Sequence, residues 1–196
     1  MRFNDFARFS VLVVSLIGSA PLRALADEIQ PIPKNSIYLS KAPWTTHEGK
    51  TVTLSSLRGS PTVVSMLYTS CKATCPLTLL DLQAIEKGLT AEAKSKVQFA
   101  IFSFDSSTDT PAHLKEFANS HNLSGAHWTF HSGKVASVRE LAALLGIRFK
   151  LLDGGGFDHS NIITVLDTEG VIIHKQVGLK QVPTETIALL NQTLLH

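Results

Sequence analysis

The stretch PTVVSMLYTSCKATCP, residues 61–76, decides the fold that we predict for this chain. Its first eight residues form a compact apolar run, which is typical of a buried β-strand. Pro76 suits the first turn of a helix, and apolar residues follow it at helical spacing as far as Gly88. A buried strand that passes directly into a helix is a building unit of layered α/β domains. Cys71 and Cys75 lie at this junction.

The rest of the chain alternates between strand-like and helix-like patterns. Strands are predicted at residues 51–54, 97–104, 128–131, 147–151, 161–166 and 171–177, and helices at residues 111–119, 135–145 and 184–195. The segment Asp167–Gly170 predicts a hairpin-type turn between the last two strands. This order predicts one α/β domain with a mixed central sheet and a late β-hairpin.

Composition excludes several classes of protein. The chain has 196 residues, a formal net charge of +2 and 44% hydrophobic residues, which suits a single globular domain and argues against disorder. The near-neutral charge and the lack of a long Lys/Arg block argue against a nucleic-acid binder. No apolar run reaches the roughly 18 residues of a membrane-spanning helix. Two cysteines are too few for a disulfide framework or a four-cysteine zinc site.

The first 26 residues have the order of a secretory signal peptide. Arg2 and Arg8 give a basic start, a short apolar run follows at residues 11–20, and Ala24-Leu25-Ala26 forms a cleavage-type motif. An uncleaved N-terminal anchor is the alternative, although a proline and an arginine after the apolar run argue against a long spanning helix. Without this segment the chain has 15 basic and 15 acidic residues, so its formal net charge is zero.

Three segments follow from these patterns. We predict a signal peptide at residues 1–26, an irregular, proline-containing N-terminal lead at residues 27–43, and the α/β domain at residues 44–196. The expected location is outside the cytoplasm, in the periplasm if the source is bacterial. The protein is then either free or tethered to the inner membrane through an uncleaved signal. Contact with a membrane is expected only through that signal or through a partner.

The cysteine pair sits where chemistry is expected in an α/β sheet. Ligand sites lie outside the carboxyl ends of the strands, and a helix N-terminus favours negative charge. Both effects favour the thiolate forms of Cys71 and Cys75. Two converging thiolates can form a disulfide or bind a soft metal ion. A disulfide across three intervening residues would close a very small loop and add little stability.

One of the eight histidines stands out as a possible third group. His159 ends the glycine-rich segment DGGGFDHS, residues 153–160, and precedes a predicted strand. A glycine-rich loop can move, so His159 can approach a site and leave it. Asp158 beside it could support the imidazole from outside the site. The remaining histidines are expected to have no role in the site: His47, His113, His121, His127, His131, His174 and His196.

Three motifs resemble the SCO/SenC family of copper chaperones. YTSCKATCP at residues 68–76 resembles the family's YT-x-CP-xx-CP motif, and SFDSSTDTP at residues 103–111 resembles its SVDP-xx-DTP segment. Asp158-His159-Ser160, followed by a strand and DTEG at residues 167–170, resembles the DHS…D-x-x-G end. The resemblance covers roughly residues 42–178, with the motifs in the family's order.

The resemblance implies a thioredoxin-like, three-layer α/β fold and a copper site. The family's ligands correspond to Cys71, Cys75 and His159, a soft donor set that suits Cu(I), with a further ligand or water for Cu(II). The implied function is to deliver copper to a respiratory copper enzyme, such as the binuclear copper centre of cytochrome c oxidase, or to prepare its thiols. The implied partners are that apo enzyme, a copper donor and a thiol reductant.

Departures from the family pattern leave the three ligands intact but affect the surface that a partner would contact, and so the identity of the client. Lys72 stands where the family commonly has proline, Ser106 replaces another proline, and Thr108 stands where a basic residue is common. Lys72 could offset the negative charge of a two-thiolate Cu(I) site. The expected role is non-enzymatic, and the alternative is a thiol-disulfide oxidoreductase that uses the Cys71/Cys75 pair. A copper or redox sensor remains a third reading of the same residues.

Overall fold

The computed structural model describes residues 30–71 and 74–192. The strands are β1 (Trp44–Thr46), β2 (Thr51–Val52), β3 (Thr62–Leu67), β4 (Gln98–Ser103), β5 (Trp128–Gly133), β6 (Phe149–Leu151), β7 (Phe157–His159), β8 (Ile162–Leu166) and β9 (Ile172–Val177). The helices are α1 (Cys75–Gly88), α2 (Ala91–Lys96), α3 (Pro111–Ser120), α4 (Val135–Leu145) and α5 (Thr184–Gln192), with short 3-10 helices at Ile37–Leu39 and Leu54–Leu57. None of the helices in this part of the chain is long and apolar enough to cross a membrane.

Several predicted features lie outside the described residues. They are the signal segment at residues 1–26, the first residues of the lead (27–29), Lys72, and the end of the last helix beyond Gln192.

A seven-stranded sheet in the order β2-β1-β5-β4-β3-β8-β9 forms the centre of the domain. Strands β3, β4 and β5 are parallel, whereas β8 runs antiparallel to β3 and β9 antiparallel to β8. The predicted mixed sheet and late hairpin are therefore confirmed. Every residue of β3 and β8 is buried, as expected for strands that are covered on both faces.

Helices α1 and α3 follow the parallel strands β3 and β4, and each has its predicted proline in the first turn: Pro76 is the second residue of α1 and Pro111 the first of α3. The Thr110 side chain accepts a hydrogen bond from His113 N–H at 3.2 Å and so caps α3. Helix α4 ends at Gly146, whose left-handed φ of 73° suits glycine. The helix positions set by these local signals were therefore predictable.

From Ile32 onward the N-terminal lead has little regular structure beyond one 3-10 turn, and it packs onto the domain. Tyr38 is fully buried against Gly170, the turn between β8 and β9. A Cβ atom on Gly170 would lie 2.4 Å from the Tyr38 ring, so this contact requires glycine. Ile37 N–H donates to the Gly170 carbonyl at 3.0 Å, which fixes the lead at the end of the sheet opposite the cysteines.

The shortest elements differ from the sequence-based expectation. The strand predicted at residues 51–54 ends at Val52, because Leu54 and Leu57 enter the core through one 3-10 turn. Strand β1, helix α2 and strand β7 were not predicted. Elements of three to six residues are too short to show a period, and β1 exists because β5 offers it a pairing edge.

Candidate metal centre

The two cysteines lie close together at the junction between the end of β3 and the start of α1. Cys71 lies in the turn after β3 and is half-buried, whereas Cys75 is the first residue of α1 and is 2% exposed. The Cys75 N–H, which has no acceptor within the helix, donates to Cys71 Sγ at 3.4 Å. Thr74 Oγ1 lies 3.8 Å from the same sulfur. The helix start therefore directs hydrogen-bonding groups at Cys71.

The electrostatic setting of Cys75 differs from our expectation. Burial raises the pKa of the Cys75 thiol from 9.0 to about 12, because the apolar surroundings disfavour the thiolate. The prediction that the helix N-terminus would favour both thiolates is therefore wrong for Cys75. Its thiol keeps its proton near neutral pH until a metal ion or an oxidation step removes it.

His159 comes to this junction from the far side of the chain. It ends β7, is half-buried, and places Nε2 at 3.8 Å from Cys75 Sγ. Nδ1 lies 3.3 Å from the Ser160 carbonyl oxygen, which can only accept, so Nδ1 carries the proton. The lone pair of Nε2 then faces the Cys75 sulfur. Burial lowers the pKa of His159, so the imidazole is held in the neutral form that binds metals.

An aromatic group encloses His159. The Phe104 ring centre lies 4.8 Å from that of the imidazole, and the Tyr68 ring centre lies 6.3 Å from it. Tyr68 also packs edge-on against Phe157 at 5.2 Å, and its hydroxyl donates to the Phe157 carbonyl at 3.5 Å. These rings fix the β6–β7 hairpin against the end of β3, and so they position His159 beside the cysteines.

Asp109 is a site-supporting residue that the sequence analysis did not single out, although it lies in the SFDSSTDTP motif. Its side chain is fully buried and accepts hydrogen bonds from Thr69 N–H at 3.1 Å, Thr69 Oγ1 at 2.5 Å and Ser103 Oγ. Because Thr69 lies two residues before Cys71, the carboxylate ties the cysteine turn to the end of β4. The Asp-Thr-Pro signal was visible in the sequence, but its long-range partner was not.

Asp158 and Lys72 are the two residues that we expected to support the site from outside the ligand set. Asp158 is exposed, and strand alternation places its side chain on the face of β7 opposite His159. The Ser160 carbonyl, rather than Asp158, contacts Nδ1 of the imidazole. Asp158 acts on His159 only through its charge, which opposes the pKa-lowering effect of burial. Lys72 lies outside the described residues.

None of the other described histidines is hydrogen-bonded to the cysteine pair. His127 pairs with Glu86 at 2.6 Å, and His131 stacks on Phe102 in the core. The others have their polar contacts elsewhere: His47, His113, His121 and His174. Among the described histidines, His159 is the one whose ring nitrogen lies within 4 Å of a cysteine sulfur.

The arrangement offers soft donors that are close together but not closed around an ion. Within residues 30–71 and 74–192, no three His, Cys, Asp or Glu side chains already form a complete metal-binding group. The Cys75 sulfur contacts His159 Nε2, and the Cys75 backbone N–H donates a hydrogen bond to the Cys71 sulfur. Two thiols and a neutral imidazole can hold a soft ion, and the two thiols can instead form a disulfide. The three-ligand set stays a prediction.

Comparison with known proteins connects this geometry to one family. The family model described as SCO1/SenC matches residues 39–194. The SCO1 protein homolog of Bacillus subtilis (strain 168) is 29% identical over 143 residues, covering 71% of this chain and 74% of the homolog. The shared region therefore includes the sheet, the cysteine turn and the His159 hairpin.

Solved structures show the same fold. ScoI of Bradyrhizobium japonicum with copper bound superposes with a TM-score of 0.67 at 29% identity, covering 78% of this chain and 97% of that one. BsSco, described as a member of the Sco family of cytochrome c oxidase assembly proteins with a disulfide switch, superposes with a TM-score of 0.70 at 24% identity. That match covers 85% of this chain and 100% of BsSco. The predicted thioredoxin-like α/β fold is confirmed.

Proposed function

The chain belongs to the SCO1/SenC family, and we propose that it is an exported copper-binding protein that delivers copper to a respiratory copper enzyme. The proposed ligands are Cys71 Sγ, Cys75 Sγ and His159 Nε2. The observation that carries the proposal is the 3.8 Å approach of the neutral imidazole to the Cys75 sulfur, across 84 residues of chain. Copper is the cargo of this site rather than a resident cofactor.

The donor set supports Cu(I) as the delivered form. Two thiolates and one imidazole are soft donors, and three such ligands suit Cu(I), whereas Cu(II) takes a further ligand or water. Copper-bound ScoI of Bradyrhizobium japonicum shares this fold. Because the same two sulfurs can oxidise to a disulfide, which cannot coordinate as thiolates, copper loading depends on the thiol redox state. A thiol reductant and a copper donor are therefore the expected supporting partners.

The proposed client is the apo form of a respiratory copper enzyme, such as the binuclear copper centre of cytochrome c oxidase. BsSco, with the same fold, is described as belonging to a family of cytochrome c oxidase assembly proteins. Export through the N-terminal segment would bring the protein to the side of the membrane where disulfides form, so the redox state of its thiols would need a dedicated reductant.

A competition titration tests the copper proposal. The reduced protein, kept anaerobic, competes with a chromophoric Cu(I) chelator, and the expected result is one bound Cu(I) per chain. Cys71→Ala, Cys75→Ala and His159→Ala should each weaken binding by at least about 100-fold, since each removes a direct ligand. His174→Ala is the matched control, because His174 lies on β9 and contacts Glu185 rather than the cysteine pair. Unchanged affinity in either cysteine variant would refute the proposal.

A second candidate function is thiol-disulfide reduction of a client by the same cysteine pair. The half-buried Cys71, which accepts the Cys75 N–H, is placed to attack, and the buried Cys75 is placed to resolve. Cys71 thiolate attacks a client disulfide and releases one client thiolate. That client thiolate takes the proton of Cys75, whose sulfur then attacks Cys71 Sγ and releases the second client thiolate, which takes a proton from solvent. The products are a Cys71–Cys75 disulfide and a client dithiol, so two electrons pass to the client.

Activity in His159→Ala separates the two functions. A reductase needs only the two sulfurs, so His159→Ala should keep its rate of client-disulfide reduction while losing copper affinity. Copper delivery as the sole function predicts instead that the reduced wild-type protein, free of copper, reduces a model disulfide no faster than a small monothiol of equal concentration.

A further inference from the structure

A cleft of about 760 Å³ opens directly beside the candidate metal centre. It lies between the β6–β7 hairpin, helix α4 and the turn that follows β4. Its apolar lining consists of Phe104, Val135, Val138, Phe149, Leu151 and Phe157. Phe104 and Phe157 also belong to the aromatic group around His159, so an occupant of the cleft would touch the residues that position the imidazole.

Two apolar side chains of this cleft are unusually open to solvent. Val135, on α4, is 54% exposed, and Leu151, on β6, is 62% exposed. Exposed apolar surface that continues into a concave, apolar cleft marks interaction sites more often than chance.

The wall formed by β6 also offers an unpaired strand edge. Among the described residues β6 pairs with β7 alone, in the register Phe149↔His159, Lys150↔Asp158 and Leu151↔Phe157. Leu152 N–H donates to the Gly156 carbonyl and Ser160 N–H to the Arg148 carbonyl. Antiparallel alternation therefore turns the main-chain groups of Phe149 and Leu151 to the free edge. Such an edge can bind an extended segment by adding one strand.

The charges on the cleft favour an acidic occupant. Arg139 and Lys150 both line it, both are exposed, and neither forms an ion pair with any described residue. The carboxylate that lines the cleft, Asp105, already accepts hydrogen bonds from Ser107 N–H, Ser107 Oγ and Thr108 N–H. Arg139, Lys150 and Asp105 together give the lining a net charge of +1, which favours an acidic partner.

We propose that this cleft docks an extended segment of the client protein in which acidic and apolar residues alternate. Added beside β6, the segment would place its apolar side chains on the face of Phe149 and Leu151. Its carboxylates would lie on the face of Lys150, where the exposed Arg148 adds a second cation and Asp158, opposite Lys150, is a carboxylate already present. This inference rests on the proposed delivery function and names the chemistry of the partner. Docking here would bring the client to the edge of the Cys71, Cys75 and His159 group.

A peptide probe tests the docking site on the full chain. The probe is a fluorescein-labelled, C-terminally amidated peptide EFELEFE, titrated with reduced, copper-free protein and followed by fluorescence anisotropy. Saturable binding is expected, and the charge-reversed peptide KFKLKFK should bind at least about tenfold more weakly. Arg139→Glu with Lys150→Glu should weaken EFELEFE binding at least about fivefold and make it less sensitive to salt.

A matched charge reversal controls for net charge. Lys34→Glu with Lys87→Glu changes the same total charge at the far end of the sheet. Lys34 precedes the lead that bonds Gly170, and Lys87 lies 12 residues along α1 from Cys75, about 18 Å away. This variant should bind EFELEFE as the wild type does. Equal binding of both peptides, or an equal loss in both double variants, would overturn the proposal.

Further readouts separate this inference from the copper proposal and from other occupants. Arg139→Glu with Lys150→Glu should keep the wild-type Cu(I) affinity, because neither residue is a ligand. If the wild type binds EFELEFE but does not bind Cu(I), the copper proposal is rejected and the docking result stands. Absence of EFELEFE binding in protein that binds Cu(I) normally would reject the docking site. A concentration-dependent dimer that Arg139→Glu with Lys150→Glu abolishes would assign the cleft to a second copy and also overturn the proposal.

Discussion

The buried imidazole of His131 should make the domain lose stability in mildly acidic solution. His131 is 2% exposed, stacks on Phe102 with ring centres 4.4 Å apart, and has no partner for Nδ1 among the described atoms. Burial lowers the pKa of His131 from 6.5 to about 4, and the charge of His47 acts in the same direction. Protonation therefore favours the unfolded chain, where the imidazole has its ordinary pKa.

The size of the effect follows from linkage. Below pH 6.5 the unfolded state binds the proton and the folded state does not, so stability falls as the pH falls and levels off below about 4. The loss attributable to His131 is about 2 kcal/mol at pH 5 and approaches about 3 kcal/mol near pH 4. Above pH 6.5 both states are neutral and His131 costs nothing further.

Urea unfolding of wild type and His131→Phe, from pH 7.5 to 4.5, measures this contribution. Phenylalanine keeps the stacking on Phe102 and cannot titrate, so the variant should lose about 2 kcal/mol less than the wild type between pH 7.5 and 5. Comparison within each pH is needed because burial also raises the pKa of Asp81, which has the opposite sign. Parallel curves for His131→Phe and wild type would refute the reasoning.

Three further outcomes test the support of the site. Asp109→Asn should destabilise the protein by about 1–3 kcal/mol, since a buried carboxylate that accepts three hydrogen bonds is lost. Asp153→Asn, at an exposed position, is the control and should leave the melting temperature unchanged. A melting temperature of Asp109→Asn equal to that of the wild type would contradict this. Gly156→Ala should lower the free energy of unfolding by about 1–2 kcal/mol, because φ is +79° and the new Cβ would lie 2.9 Å from the Tyr68 hydroxyl. If that contact contributes, adding Tyr68→Phe to the same chain should restore part of the lost stability. Iodoacetamide at pH 7.5 should modify Cys71 at least about tenfold faster than Cys75, because Cys75 is buried and keeps its proton. Peptide mass spectrometry follows both reactions, and the two rates should become equal in urea. Faster modification of Cys75 than of Cys71 in the folded protein would contradict its burial.

Local signals explain why the larger elements were predictable. The apolar run before Tyr68 was long enough to indicate β3. Prolines marked the starts of α1 and α3, and a glycine marked the C-terminal end of α4. Strand β7 carried no such signal, because it has three residues and follows three glycines. It forms because β6 pairs with it and because Phe157 packs against Tyr68.

The candidate site divides in the same way. Cysteine spacing, the histidine behind the glycine segment and the family motifs indicated Cys71, Cys75 and His159. The partner of the imidazole did not follow from adjacency: strand alternation turns Asp158 away, and the Ser160 carbonyl takes its place. The role of Asp109 depends on Thr69, 40 residues earlier, a contact that no local pattern encodes.

By itself the sequence determined the order of the main strands and helices, the pair of thiols and the histidine that accompanies them, because periodicity, caps and residue chemistry are local properties. Only the tertiary structure decided how these thiols differ. Cys75 enters the core as the first residue of α1 and its pKa rises to about 12, whereas Cys71 stays half-buried and accepts the free N–H of that helix. Desolvation depends on every neighbour that packs around a group, and those neighbours are brought together by the whole fold.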